Sequence, residues 1–196
     1  MEFEDFFRDT RINMYLAWII TALIVSALFE SILDFDILWI AFTATMTVLI
    51  ALPVYRFRDI KLMLPWEVLG LAAIPVIVRT LEISILSNQV ATYFAMAALA
   101  LIIAVELQVF TSVEFNHAFS IMFTVTATLA VAGLWAIMRY NLDIHTGTAF
   151  LTTNEDLMYE FINATAAGLL AGIIFDIYFT RRDKIFRKKI KKLIKR

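Results

Sequence analysis

The strongest constraint on this chain is the recurrence of long apolar blocks along its 196 residues. About twenty consecutive apolar residues in a helix cross a bilayer core about 30 Å thick. Six blocks close to this length are present, at residues 13–33, 38–55, 66–86, 90–110, 118–138 and 158–179. They predict a polytopic membrane protein and exclude a soluble enzyme, a disordered chain and a secreted disulfide scaffold. The last class is also excluded because the chain contains no cysteine.

The composition agrees, since 61% of the residues are hydrophobic and only 18% are charged. Lipid offers the backbone no hydrogen-bond partner, so the spans must all be helices or all be barrel strands. The alternation of polar and apolar residues that marks barrel strands is missing. We therefore predict an all-α fold, a six-helix transmembrane bundle over residues 1–179 with a basic amphipathic tail over residues 180–196. Residues 1–11 are mostly acidic and aromatic, so the first block is expected to remain as a span.

The distribution of Lys and Arg predicts the orientation. Fifteen of the seventeen basic residues fall on one side of a six-span topology, the exceptions being Arg79 and Arg139. The fifteen lie before the first block (Arg8, Arg11), between the second and third (Arg56, Arg58, Lys61), and after residue 180. The positive-inside rule then predicts a multi-pass protein of the cell membrane with both termini in the cytoplasm.

The C-terminal tail has a basic and amphipathic pattern of its own. Residues 181–196 contain ten basic residues and one acidic residue, a net charge of +9. Phe186, Ile190, Leu193 and Ile194 recur among them at helical spacing. A basic amphipathic helix beside a membrane favours anionic lipids of the inner leaflet, which we expect as partners together with the bilayer itself. A protein partner is the alternative, and nucleic acid is not expected because basic runs with few aromatic residues are unspecific.

Charged residues within the spans are costly in lipid, so each is a candidate functional residue. In the six-span topology they fall into two layers. The outer polar layer consists of Glu30, Arg79, Glu82, Arg139 and Glu160, with Asp34, Asp36, Asp143, His145, Glu155 and Asp156 near its rim. The inner polar layer consists of Glu67, Glu106, Glu114, His117 and Asp176. Between the layers only Thr, Ser and Asn163 are polar, so no charged relay across the membrane is predicted.

Two interpretations of the outer polar layer stay open. Arg79 and Glu82 are three residues apart and could pair on one helix, or Arg79 could meet Glu30 or Glu160 from a neighbouring helix. Mutually neutralising pairs that set the helix register are the structural interpretation. The excess of carboxylates over arginines instead favours a vestibule that attracts cations.

The inner polar layer has three interpretations. Glu114 and His117 lie three residues apart, the spacing by which helical bundles bring a carboxylate and an imidazole to one metal ion. Glu106 and Asp176 could complete such a divalent metal site, although no second Glu-x-x-His is present. A plain structural layer is the favoured alternative, and a proton-titrating site is the third. No cofactor motif is evident.

Small residues mark the last span. Gly168 and Gly172 form a small-xxx-small motif that lets two helices approach closely. Packing within the chain is the favoured interpretation, with a homo-oligomer or a membrane partner subunit as the alternative. Residues 140–157 are the longest connection, and Thr153 with Asp156, or Thr152 with Glu155, resembles a capping box that opens the last helix.

Several stretches resemble known families. They are residues 64–67 (LPWE), 104–113 (AVELQVFTSV), 147–148 (GT), 157–179 and 181–182 (RR). Over nearly all of residues 11–182 the chain resembles an uncharacterised family of archaeal integral membrane proteins. It resembles the YjdF-like bacterial membrane proteins more loosely, since that pattern has Asp and His four apart where Glu114 and His117 are three apart. Neither resemblance implies an activity.

The sequence therefore predicts a function only by class. A small cation- or proton-linked permease or channel-like protein is the first hypothesis, and a non-catalytic accessory or scaffold subunit is the second. A membrane-embedded metal-dependent hydrolase or transferase is the third. An enzyme is the less favoured reading, because no nucleophile arrangement or phosphate-binding motif is present.

Overall fold

The structure is a computed structural model that describes residues 11–58, 60, 63–80, 88–111, 115–151 and 153–194. These residues form helices and no strands. The helices are α1 (Arg11–Leu33), α2 (Ile37–Phe57), α3 (Trp66–Thr80), α4 (Asn88–Phe110), α5 (His117–Thr146) and α6 (Asn154–Ile194). The predicted all-α class is confirmed.

Short polar side chains begin several of these helices. Asp36 caps α2, where its Oδ1 accepts a hydrogen bond from the backbone N–H of Trp39 at 3.3 Å. Asn116 caps α5 in the same way through the N–H of Phe119, at 2.8 Å. These contacts satisfy backbone donors that have no partner inside the helix.

A reciprocal cap begins α6. The N–H of Asp156 donates to Thr153 Oγ1 at 3.1 Å, and that hydroxyl donates to Asp156 Oδ2 at 2.9 Å. Thr153 therefore caps α6 as one of the two predicted capping boxes requires, while Thr152 lies outside the described residues.

Within the described residues, five helices are long and apolar enough to cross a membrane, namely α1, α2, α4, α5 and α6. The described part of α3 has 15 residues, and residues 81–87 of the predicted third span lie outside the described part of the chain. Apolar side chains such as Ile19, Leu134 and Ile162 are more than half exposed on the outside of the bundle, as lipid-facing residues are.

The last two helices extend beyond their predicted spans. Helix α5 continues past residue 138 to Thr146, and α6 already begins at Asn154. The connection therefore shrinks from residues 140–157 to 147–153. The reason is local, because no glycine or proline follows residue 138 until Gly147, which ends α5 with a left-handed φ of 69°. After Gly172 the chain has no further glycine or proline, and α6 runs unbroken to Ile194.

Helix α4 occupies the middle of the bundle and contacts α2, α3, α5 and α6. Its alanines at positions 91, 95, 97, 98, 100 and 104 are all buried. Small side chains let several helices approach one helix closely in a membrane. Helix α1 packs on α2 and α3, and α5 and α6 form the most extensive pair.

Candidate functional site

A polar cavity of about 100 Å³ opens where α1 turns into α2 and α3 ends. Ten residues line it: Ala27, Glu30, Ser31, Asp34, Asp36, Trp39, Thr43, Val76, Arg79 and Thr80. Three of them are carboxylates and one is a guanidinium. The cavity therefore carries an excess of negative charge.

Asp36 and Trp39 hold the arginine of the cavity in place. The Asp36 carboxylate caps α2 with one oxygen and forms an ion pair with Arg79 through the other. The Arg79 guanidinium also lies over the Trp39 ring, 4.6 Å from its centroid. Among the described residues Arg79 thus pairs with Asp36 and not with Glu30 or Glu160, and Glu82 lies outside them. The reason is tertiary, since α2 begins beside the end of α3.

The cavity wall offers mainly hydrogen-bond acceptors. The hydroxyls of Ser31 and Thr43 donate their hydrogens to the carbonyls of Ala27 and Trp39, at 2.9 and 2.6 Å. Their lone pairs remain available, as do the carboxylate oxygens of Glu30 and Asp34. Thr43 is only 1% exposed, so its oxygen belongs to the wall rather than to the surface. A cavity of this chemistry suits a cation and disfavours an anion.

A second ion pair lies at the same end of the bundle. Arg139 of α5 pairs with Glu160 of α6, and their side chains are only 11% and 18% exposed. The Arg139 Nε is buried without a hydrogen-bond partner among the described residues. Nearby, the buried Tyr93 of α4 hydrogen-bonds the side chain of Asn163. The pair and the hydrogen bond join α4, α5 and α6 at this end.

Aromatic rings connect the two ion pairs. Trp39 and Phe42 of α2 both meet Trp135 of α5 edge to face, with centroids 6.5 and 6.2 Å apart. Trp135 lies one helical turn before Arg139, and Trp39 lies under Arg79. The described residues of the outer polar layer therefore form one end of the bundle. Sequence reasoning missed Trp39, Trp135 and the pairing role of Asp36, although Asp36 directly before an apolar run is a recognisable cap signal.

The inner polar layer lies at the opposite end and is divided into separate contacts. His117 Nδ1 lies 2.7 Å from Asp176 Oδ1, and the Tyr178 hydroxyl donates to Glu67 Oε2 at 3.4 Å. Glu106 joins neither contact, and its Oε1 is buried without a hydrogen-bond partner in the described part of the chain. Glu114 lies outside the described residues.

The predicted metal ligands are therefore only partly brought together. His117 and Asp176 touch, but within the described residues no three His, Cys, Asp or Glu side chains converge as a metal site requires. Glu106 forms no hydrogen bond to the His117–Asp176 pair. The geometry of the described residues therefore provides a two-residue contact and not a coordination shell.

Between the layers the polar groups are hydroxyls bonded to their own helix. Ser120, Thr124 and Thr128 are buried on one stripe of α5, and each donates to the carbonyl four residues earlier, at 2.9, 2.8 and 2.7 Å. This stripe faces the small residues of α6. A Cβ added to Gly168 would lie 2.8 Å from Thr128 Oγ1, and one added to Gly172 would lie 3.0 Å from the Ile121 Cα. Both glycines thus lie against α5 of the same chain.

Comparison with known proteins gives one match. The model of a family described as a domain of unknown function (DUF8268) matches residues 1–63, which include α1, α2 and the α1–α2 side of the cavity. No curated protein and no solved structure matches the chain. The match agrees with an uncharacterised family, and the resemblances to archaeal and YjdF-like proteins stay predictions.

Proposed function

We propose that this protein is a small cation- or proton-linked permease of the cell membrane that admits its substrate through the acidic cavity. The observation that carries this proposal is the cavity wall, where three carboxylates and two acceptor hydroxyls face a single arginine. Since Asp36 neutralises Arg79, the charges of Glu30 and Asp34 determine what the cavity attracts. Carboxylate-lined mouths of this kind favour cations in membrane pores.

The course of α3 supports a six-span topology. The N–H of Trp66, at its start, donates to Asn13 Oδ1 at the inner end of α1, at 3.0 Å. Arg79, near its end, pairs with Asp36 at the outer end of α2. Fifteen residues of helix rise about 22 Å, most of a bilayer core. With the basic residues on the cytoplasmic side, the cavity would face outward and the basic end of α6 would meet anionic inner-leaflet lipids.

The packed interior favours a gated carrier over an open pore. Below the cavity the core contains fully buried apolar residues such as Met46, Ile50 and Leu69. A cation in contact with these side chains would lose its hydration without replacement. Passage would therefore require the helices to rearrange while the cation is held at the cavity.

The test is uptake into proteoliposomes of four probes: Na⁺, K⁺, methylammonium and, with an internal pH dye, protons. We expect Glu30→Gln/Asp34→Asn to reduce uptake of at least one probe about tenfold or more, because it removes the two charges that determine what the cavity attracts. A tenfold change corresponds to about 1.4 kcal/mol in binding free energy. The matched control is Glu155→Gln, which removes an exposed carboxylate at the start of α6, outside the cavity. Equal uptake by the parent and the cavity variant would contradict the proposal.

A further inference from the structure

Glu106 carries a partly buried carboxyl group that the cavity does not use. It lies near the end of α4, the most buried of the five candidate spans, at the opposite end of the bundle from the cavity. Its Oε1 is completely buried and has no hydrogen-bond partner, and the carboxylate takes part in no ion pair among the described residues.

Three other carboxylates at the two ends of the bundle have donors. The carboxylate of Asp36 pairs with the guanidinium of Arg79, and that of Glu160 pairs with the guanidinium of Arg139. The carboxylate of Asp176 contacts the imidazole of His117. An ionised carboxylate without such a partner in a low-dielectric interior is strongly disfavoured. A carboxyl group in that position relieves the penalty most simply by binding a proton.

The neighbouring charged groups are engaged elsewhere or exposed. On α3 the carboxylate of Glu67 accepts from the hydroxyl of Tyr178 on α6. On α5 the imidazole of His117 pairs with Asp176 of α6. On α2 Arg56 is exposed. None of these groups forms a hydrogen bond or an ion pair with Glu106.

We propose that Glu106 is a proton-binding site, a carboxyl group that is neutral in the folded protein at neutral pH and that exchanges its proton at the inner end of the bundle. The ligand is the proton itself, and no metal or other cation is needed to balance the buried oxygen. This site is separate from the cavity, so the inference stands or falls independently of cation binding there. If both hold, a proton site and a cation site lie at opposite ends of one bundle.

Infrared difference spectroscopy in lipid tests the protonation state directly. In the spectrum of the parent minus Glu106→Gln at neutral pH we expect the carbonyl band of a protonated carboxyl group, shifted by exchange into D₂O. Gln is nearly isosteric with protonated Glu, so the variant should fold. The control is the difference spectrum of the parent minus Glu155→Gln, a variant that removes an exposed carboxyl group. That spectrum should show the paired bands of a carboxylate instead. Carboxylate bands in the Glu106 difference spectrum would overturn the proposal.

A second measurement needs no variant. Dicyclohexylcarbodiimide dissolves in lipid and reacts with protonated carboxyl groups: the oxygen bonds to the carbodiimide carbon, the proton moves to a nitrogen, and the adduct rearranges to a stable N-acylurea. Peptide mass spectrometry should locate the full reagent mass on Glu106, with labelling that declines as the pH is raised. Labelling of Glu155 without labelling of Glu106 would contradict the proposal.

Discussion

At the scale of single residues, the two arginine pairs differ in how much solvent reaches them. The side chains of Arg139 and Glu160 are 11% and 18% exposed, whereas those of Arg79 and Asp36 are 29% and 30% exposed. Removing one partner of a buried pair leaves an uncompensated charge, while a partly exposed charge is compensated by water. The Arg139–Glu160 pair should therefore be the more sensitive of the two.

We expect Glu160→Gln to destabilise the protein by about 3–5 kcal/mol, because it leaves the buried Arg139 charge unneutralised. Asp36→Asn should cost about 1 kcal/mol, since asparagine is also a good helix cap and Arg79 can be hydrated. Thermal unfolding in detergent measures both losses. The double variant Arg139→Gln/Glu160→Gln should regain part of the stability that Glu160→Gln alone loses. Equal losses for the Glu160 and Asp36 variants would show that burial does not distinguish the pairs.

At the scale of helices, the α5–α6 pair depends on contacts of small residues. Gly168 and Gly172 let α6 approach the buried stripe of Ser120, Thr124 and Thr128 on α5. Because these hydroxyls are bonded to their own helix, the contact between the helices is mainly van der Waals packing. Packing of this kind stabilises helix pairs in membranes, where apolar burial contributes little.

Gly168→Ala is expected to destabilise this pair by about 1–3 kcal/mol, the usual cost of overpacking. The added Cβ would lie 2.9 Å from the Cβ of Thr128, an atom that cannot move without its helix. Gly133→Ala on α5 is the matched control, because nothing lies within 4 Å of a Cβ there. The control should be neutral or slightly stabilising, since alanine favours a helix over glycine by about 1 kcal/mol. Unfolding temperatures in detergent that fall equally for both variants would contradict this account.

At the scale of the whole molecule, the charged contacts of the described residues lie in two polar regions with an apolar middle. The outer region holds both arginine pairs and the cavity, and the inner region holds Glu67, Glu106, His117 and Asp176. The distribution of Lys and Arg, a property of the sequence, predicts which of the two regions faces the cytoplasm.

The absence of cysteine makes the topology testable with single cysteines. Ala149→Cys lies between α5 and α6, and Ile60→Cys lies between α2 and α3; both positions are exposed. If α3 crosses the membrane, a membrane-impermeant maleimide should label Ala149→Cys in intact cells and Ile60→Cys only after permeabilisation. Labelling of both cysteines from the same side would contradict the six-span proposal.

The sequence alone was sufficient for features that depend on short-range physics. Apolar blocks of bilayer length predicted an all-helical membrane protein, because lipid leaves no other way to satisfy the backbone. The cap formed by Thr153 and Asp156 was also predictable, since its partners are three residues apart. The helix ends were less predictable, because α5 and α6 continue beyond the apolar blocks as long as no residue breaks them.

The tertiary structure alone decided which distant groups meet. Periodicity could pair Arg79 with residues of its own helix, but only the packing of both α2 and α3 on α1 placed Asp36 against it and created the cavity. The packing of α5 against α6 joined Arg139 to Glu160, and Glu106 Oε1 was left without a hydrogen-bond partner among the described residues. In lipid all helix surfaces are similarly apolar, so hydropathy carries little information on which helices are neighbours. Close packing of small residues and the pairing of buried charges make that choice.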